Sequence, residues 1–146
     1  MKRIHYIMTF LGLLITIIVM ADSSRLYTSD KLSSSLINCV TQDKYGFMWI
    51  GTEYGLSKFD GYKFTNYLHN NKDTTSIADN IISSFLVDKE GRLWIGCAKG
   101  LMRYNATNDN FIQYHFPDGR KPRIYDIIES RNGDILMGTA GFGLYS

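Results

Sequence analysis

One feature constrains this chain more than any other: a 24-residue segment occurs twice without a gap. Ile37 to Asp60 (INCVTQDKYGFMWIGTEYGLSKFD) aligns on Ile82 to Asn105 (ISSFLVDKEGRLWIGCAKGLMRYN) with nine identities in 24 positions. A third copy begins at Ile124, with Gly133, Gly138, Gly143 and Leu144 in register after one inserted residue. The spacing is 45 residues from Gly46 to Gly91 and 42 from Gly91 to Gly133. A period of that size belongs to repeat architectures whose unit is a small supersecondary element that buries its faces only by stacking on its neighbours.

The signals within one unit are those of strands and tight turns. Residues 37–42 read as a strand, followed by a turn at Asp43-Lys44-Tyr45-Gly46. In such a turn the Asp side chain caps the backbone two residues on, and the Gly takes a positive φ. Asp88-Lys89-Glu90-Gly91 repeats that chemistry, and Ser130-Arg131-Asn132-Gly133 is a weaker version. The second strand, 47–52, is apolar on both faces, with Met48 and Ile50 on one side and Trp49 on the other, so it must lie between two packed layers. The pattern is the same at 92–97 and 134–139. A third strand is expected at 56–60 and a fourth at 62–67, with Tyr104, Phe111 and Tyr114 in the places of Phe59, Phe64 and Tyr67. Four antiparallel strands joined by tight turns make one blade of a β-propeller. The expected fold is therefore all-β: a partial β-propeller of about two and a half four-stranded antiparallel blades. The divisions are 1–21 signal, 22–36 leader, 37–80 and 81–123 full blades, and 124–146 an incomplete third.

The N-terminus carries a different signal. Lys2 and Arg3 precede a fourteen-residue, mostly apolar run, Ile7 to Met20, then Val19-Met20-Ala21 ahead of polar Asp22. That order matches a signal helix cleaved after Ala21. Fourteen residues are shorter than the roughly 20 a helix needs to cross a bilayer, so a retained anchor is the alternative. Beyond Arg3, fourteen Lys and Arg balance fourteen Asp and Glu, which gives no electrostatic reason to expect nucleic acid as a partner. Cys39 and Cys97 are 58 residues apart without neighbouring ligand residues, and they read as two free buried thiols with no metal site.

The string Ile37, Asp43, Gly46, Met48-Trp49-Ile50-Gly51-Thr52, Gly55-Leu56, Phe59-Asp60 resembles the two-component regulator propeller repeat. Residues 82–105 match it as well, centred on Leu93-Trp94-Ile95-Gly96. Residues 124–145 match it with departures: Leu136 and Met137 replace the Trp-Ile pair, and in the second copy Cys97 stands where Thr is usual. The resemblance implies the amino-terminal piece of a periplasmic sensor. In that family, propellers and a β-sandwich precede a membrane helix and a cytoplasmic histidine kinase, often in a dimer, and many members respond to glycan breakdown products. It thereby implies an oligosaccharide ligand, the remaining blades and sandwich as partners, an inner-membrane parent, no cofactor, and kinase activity only in a longer parent. The alternative is an exported propeller scaffold or a propeller enzyme of the polysaccharide lyase or esterase type.

No catalytic constellation is expected. Trp49 and Trp94 repeat at one blade position, so packing rather than sugar stacking explains them. Asp43 and Asp88 sit in equivalent turns, where backbone capping explains them, and His69 and His115 read as polar loop residues. Alternation of strand direction sends the turns at 43–46 and 60–62 to one end of each blade. The turn at 53–55 and the connection 68–80 go to the other end. The second end carries the variable loops, so ligand contacts are expected from Tyr54, Asn70, Lys72, Lys99 and Arg120.

Overall fold

The computed structural model describes residues 31–146; the expected signal segment, 1–21, lies outside the described residues. Eleven strands follow in chain order: β1 (Ile37–Gln42), β2 (Met48–Thr52), β3 (Gly55–Phe59), β4 (Phe64–Tyr67), β5 (Ile82–Val87), β6 (Leu93–Cys97), β7 (Gly100–Asn105), β8 (Asn110–Tyr114), β9 (Ile124–Glu129), β10 (Ile135–Thr139) and β11 (Gly143–Tyr145). They form two four-stranded antiparallel meanders, β1-β2-β3-β4 and β5-β6-β7-β8, and a three-stranded sheet, β9-β10-β11. The expected all-β propeller architecture is the observed one.

Side-chain caps explain where the strands begin. β2 starts at Met48 instead of Phe47 because the Phe47 amide donates to Asp43 Oδ1 at 3.0 Å and its carbonyl accepts from the Asp43 amide, which closes the turn. Gly46, Gly91 and Gly133 sit in these turns at φ +88°, +76° and +90°, values that an L side chain resists. β4 starts at Phe64 because Asp60 Oδ1 accepts from the amides of Tyr62 and Lys63, at 2.8 and 2.7 Å, and holds both in a turn.

Blades stack through their apolar faces. Trp49 is fully buried in one core cluster with Leu93, Ile95, Met102 and Phe111 of the second sheet. Its ring centroid lies 4.5 Å from that of Tyr104 and 6.0 Å from that of Tyr67. Trp94 repeats the role between the second and third sheets, with Ile124, Ile127 and Met137. The indoles also have a polar partner that the sequence reading did not assign. Trp49 Nε1 donates to Asp43 Oδ2 at 2.8 Å, and Trp94 Nε1 to Asp88 Oδ2 at 2.7 Å. Each turn Asp thus caps its hairpin and receives the only polar atom of the side chain that glues the blades.

Backbones approach closely where the blades meet. A Cβ on Gly51 would stand 2.5 Å from Cys39 Sγ and 2.6 Å from Ile82 Cγ2; one on Gly96 would stand 2.4 Å from Ser84 Oγ and 2.8 Å from Ile124 Cγ2. The two glycines hold β2 and β6 against the first strand of the next blade. Cys97 is buried as expected, whereas Cys39 is only half-buried, because β1 has no blade packed on its outer side among the described residues.

Candidate functional site

The first strands β1, β5 and β9 lie at the inner edges of their sheets and approach one another from blade to blade. Each is interrupted near its start. The pairing register shifts between Ile37 and Cys39, between Ile82 and Ser84, and opposite Gly138 and Thr139 in the third sheet. These are β-bulges, which leave one residue unpaired and re-aim its side chain. In the first two blades that side chain reaches the next blade: Asn38 Nδ2 donates to the Ile82 carbonyl at 2.8 Å, and Ser83 Oγ donates to the Ile124 carbonyl. Tyr125 occupies the equivalent place in the third blade and is 60% exposed.

A second regularity pins the loops at the same end. The residue before each first strand accepts a hydrogen bond from the turn after the second strand: Glu53 N to Leu36 O, Ala98 N to Ile81 O and Ala140 N to Arg123 O, at 2.9, 3.0 and 2.9 Å. The connection 68–81 is anchored as well. Ile77 is fully buried, His69 Nδ1 lies 2.7 Å from the Ile77 carbonyl, and His69 Nε2 lies 2.8 Å from Asn71 Oδ1. The Phe111 amide donates to the Thr75 carbonyl at 2.9 Å. The stretch is anchored at its base by buried Ile77 and Ala78 and braced by His69, while residues 70–75 are exposed.

The five expected contact residues all fall at this end, but in different states. Tyr54 is 60% exposed at the tip of its turn. Asn70 spends its Oδ1 capping the Lys72 amide at 3.0 Å, while the Lys72 side chain is exposed. Lys99 is paired with Asp79 at 3.1 Å. Arg120 is paired with Asp118 at 3.2 Å and lies 4.7 Å over the Phe142 ring. The structure thus joins Lys99 to a carboxylate of the neighbouring connection and Arg120 to one of its own loop, leaves the Lys72 side chain exposed, and links none of the five to another by a hydrogen bond or ion pair apart from Asn70 with the Lys72 backbone.

The opposite end holds a cluster the sequence reading missed. Lys58 Nζ donates to Tyr104 Oη at 2.8 Å and lies 3.4 Å from Asp109 Oδ1; Tyr67 Oη donates to the same oxygen at 2.7 Å. The ammonium also stands 4.7, 5.4 and 5.0 Å from the ring centroids of Phe47, Trp49 and Tyr104. Asp109 takes φ +50° to reach this position. Partial burial opposes its ionisation, but hydrogen bonds from Tyr104 and Tyr67 and the charge on Lys58 override it and hold the carboxyl below its ordinary range. Burial and the Asp109 carboxylate push Tyr67 above the ordinary phenol range. Charges stay on Lys58 and Asp109, and the phenol of Tyr67 stays neutral. This arrangement clamps the first blade to the second and provides no proton acceptor or nucleophile poised near neutral pH. The signal was the placement of Lys58 one residue before Phe59 in β3, on the Trp49 face, with Arg103 repeating it 5.7 Å from Trp94.

A cleft of about 520 Å³ opens beside Trp94, lined by Leu101, Tyr114, Phe116, Met137 and Tyr145. At the first blade junction the corresponding surface of Trp49 is covered by Tyr104 and Phe111, and no described residue of the third sheet takes their places.

The fold and these repeated junctions define a class, the open segment of a β-propeller. Within it, residues 31–54 and 76–99 match the two component regulator propeller family. Each matched segment starts six residues before its first strand and ends in the turn after the second. A histidine kinase of Formosa agariphila is 49% identical over 49 residues, which are 34% of this chain and 4% of that protein. The extracellular domain of a hybrid two-component system from B. thetaiotaomicron superposes with a TM-score of 0.66 at 26% identity, over 84% of this chain and 19% of that one. The corresponding domain of a one-component system from the same organism gives 0.69 at 23% identity, again over 84% and 19%. Virginiamycin B lyase from Staphylococcus aureus shares the fold alone, at 0.57 and 18% identity over 84% of this chain and 43% of the lyase. Two segments of the chain, 31–54 and 76–99, are thus similar to two component regulator propeller repeats, and the chain spans a small fraction of the relatives it matches.

Proposed function

We propose that this chain is part of an extracytoplasmic propeller sensor that binds a glycan breakdown product and signals to a histidine kinase. The observation that carries the reading is the coincidence of two in-phase regulator-propeller repeats with 26% identity to the extracellular domain of a hybrid two-component system. The 49%-identical stretch of a histidine kinase supports the same assignment. Export by the segment ending at Ala21, a periplasmic location, an inner-membrane parent and a dimeric receptor with further blades and a sandwich belong to this proposal. Recognition falls at the end carrying turns 53–54, 98–99 and 140–142 and the connections 68–81 and 115–123. Tyr54 and Lys72 contribute exposed groups there, and Asn70, Lys99 and Arg120 hold their loops. Ligand binding would act by differential affinity for two arrangements of the receptor.

Two measurements test the reading. A fusion to alkaline phosphatase after Ser146 should be active, since that enzyme folds only outside the cytoplasm. Calorimetric titration with a panel of plant and bacterial oligosaccharides should give saturable binding that weakens in Tyr54→Ala and Lys72→Ala. An inactive fusion, or a panel without a single saturable glycan, refutes it.

A further inference from the structure

Of the cations at the loop end, Lys99 and Arg120 already face carboxylates, while Lys72 and Lys121 are exposed side chains. Arg123 is different. It is partly buried, its Nε is shut off from solvent without an acceptor, and its guanidinium makes no ion pair or hydrogen bond among the described residues. The guanidinium carbon lies 5.6 Å over the Tyr125 ring, which holds the group in place from one side. The scaffold does not demand a cation here. Arg123 accepts the turn hydrogen bond through its backbone carbonyl only, and the equivalent positions in the first two blades are Leu36 and Ile81. A buried, unpaired donor is costly, and a fixed planar donor next to an exposed aromatic ring is suited to an anion carried on an apolar ring face.

We infer that Arg123 and Tyr125 form a carboxylate-recognition pair at the inner loop end of the third blade, selecting an acidic sugar, a uronic acid, from among glycan ligands. The inference rests on the glycan reading above and adds the substrate class. The Nη groups, which are not shut off from solvent as Nε is, offer two parallel donors to a carboxylate. Tyr125 is aimed into the same space by its bulge position and presents a ring on which the C–H face of a pyranose can lie. Arg120, held back by Asp118 and Phe142, and the exposed Lys121 add positive potential along the approach without competing for the same carboxylate.

The test compares trigalacturonate with neutral galactotriose by calorimetry on the full chain at low salt. The acid should bind at least about tenfold more tightly than the neutral sugar, as expected for a hydrogen-bonded charge pair. Arg123→Leu, which installs the residue found at position 36, should erase that difference and leave galactotriose affinity unchanged. Tyr125→Ala should weaken both sugars. Circular dichroism and melting of each variant check the fold, and Arg123→Lys is the second variant should leucine disturb it; it should retain part of the preference. Equal affinity for the two sugars, or an acid preference that survives Arg123→Leu, overturns the inference and leaves the glycan reading standing. So does failure of trigalacturonate to bind while neutral glycans of the panel do. Absence of saturable binding by any glycan overturns the parent reading as well.

Discussion

Removing the Asp88 carboxylate should be among the most damaging single changes that leave the apolar core intact. Asp88 Oδ1 accepts from the Arg92 amide at 2.7 Å, and Oδ2 accepts from Trp94 Nε1 at 2.7 Å and from the Arg92 guanidinium. The Asp88 side chain is fully buried and Trp94 nearly so, whereas 40% of the Arg92 side chain reaches water. In Asp88→Ala the guanidinium can rehydrate, but the indole N–H is left buried without an acceptor, which costs about 1–3 kcal/mol. Loss of the turn cap on the Arg92 amide adds about 1 kcal/mol, for a total of about 2–4 kcal/mol. For a domain of this size that lowers Tm by roughly 8–16 °C. Asp88→Asn keeps one acceptor oxygen and should lose about half as much. Both tryptophans sit at blade junctions, so intrinsic fluorescence and far-ultraviolet circular dichroism should report the same transition. The pH dependence has a fixed sign. Burial opposes ionisation of Asp88, but the hydrogen bonds from Trp94 and Arg92 prevail and hold its carboxyl below the ordinary range. Its contribution is therefore present above the unfolded carboxyl pKa of about 3.9 and is lost as pH falls through the lower folded value. The gap between the native protein and Asp88→Ala should be constant near neutrality and close progressively below about pH 4. A Tm within about 2 °C of the native value at pH 7, well inside the shift worked out above, would refute the claim that the Asp–Trp bond secures the blade junction.

Other consequences follow from the same junctions. Gly96→Ala should destabilise by about 1–3 kcal/mol, because its Cβ would meet Ser84 and Ile124. Gly138→Ala, at the equivalent position with nothing within 4 Å, should stay within about 0.5 kcal/mol; equal melting shifts would contradict the packing. Burial pushes the Cys39 thiol up to about 12 and the Cys97 thiol up to about 11, so neither should react appreciably with a disulfide reagent at pH 8 until the chain unfolds; rapid titration of two thiols in the native protein would argue against the observed burial. Lys99→Ala and Arg120→Ala break half-exposed pairs and should each cost less than about 1 kcal/mol in chemical denaturation. Lys58→Met should cost more than either, since it leaves Asp109 and two tyrosines without their cation at a blade junction, and an equal or smaller loss would mean the aromatic surround does the holding.

Much of the architecture was present in the chain's one-dimensional pattern. The 24-residue repeat and the Asp-x-x-Gly turns act locally, and the doubly apolar strand around Trp49 and Trp94 demands a layer on each side wherever it occurs. Strand type, order and blade packing are set by such short-range chemistry. Strand ends were less legible, because Phe47 and Tyr62 are held in turns by carboxylates at Asp43 and Asp60 that compete with the ladder for their amides.

The candidate site needed the third dimension. Periodicity placed Lys99 and Arg120 on the loop end, but only the folded loops show them spent on Asp79 and Asp118. The bulges that turn Asn38 and Ser83 toward the next blade, and leave Tyr125 exposed in the third, leave no trace in the hydrophobic pattern, since one extra residue in a strand changes geometry without changing composition. Nothing in the sequence pattern singles out Arg123. Its lack of a partner, and its place over Tyr125, are decided by which carboxylates come within reach when three sheets converge, and that distance is a property of the packing alone.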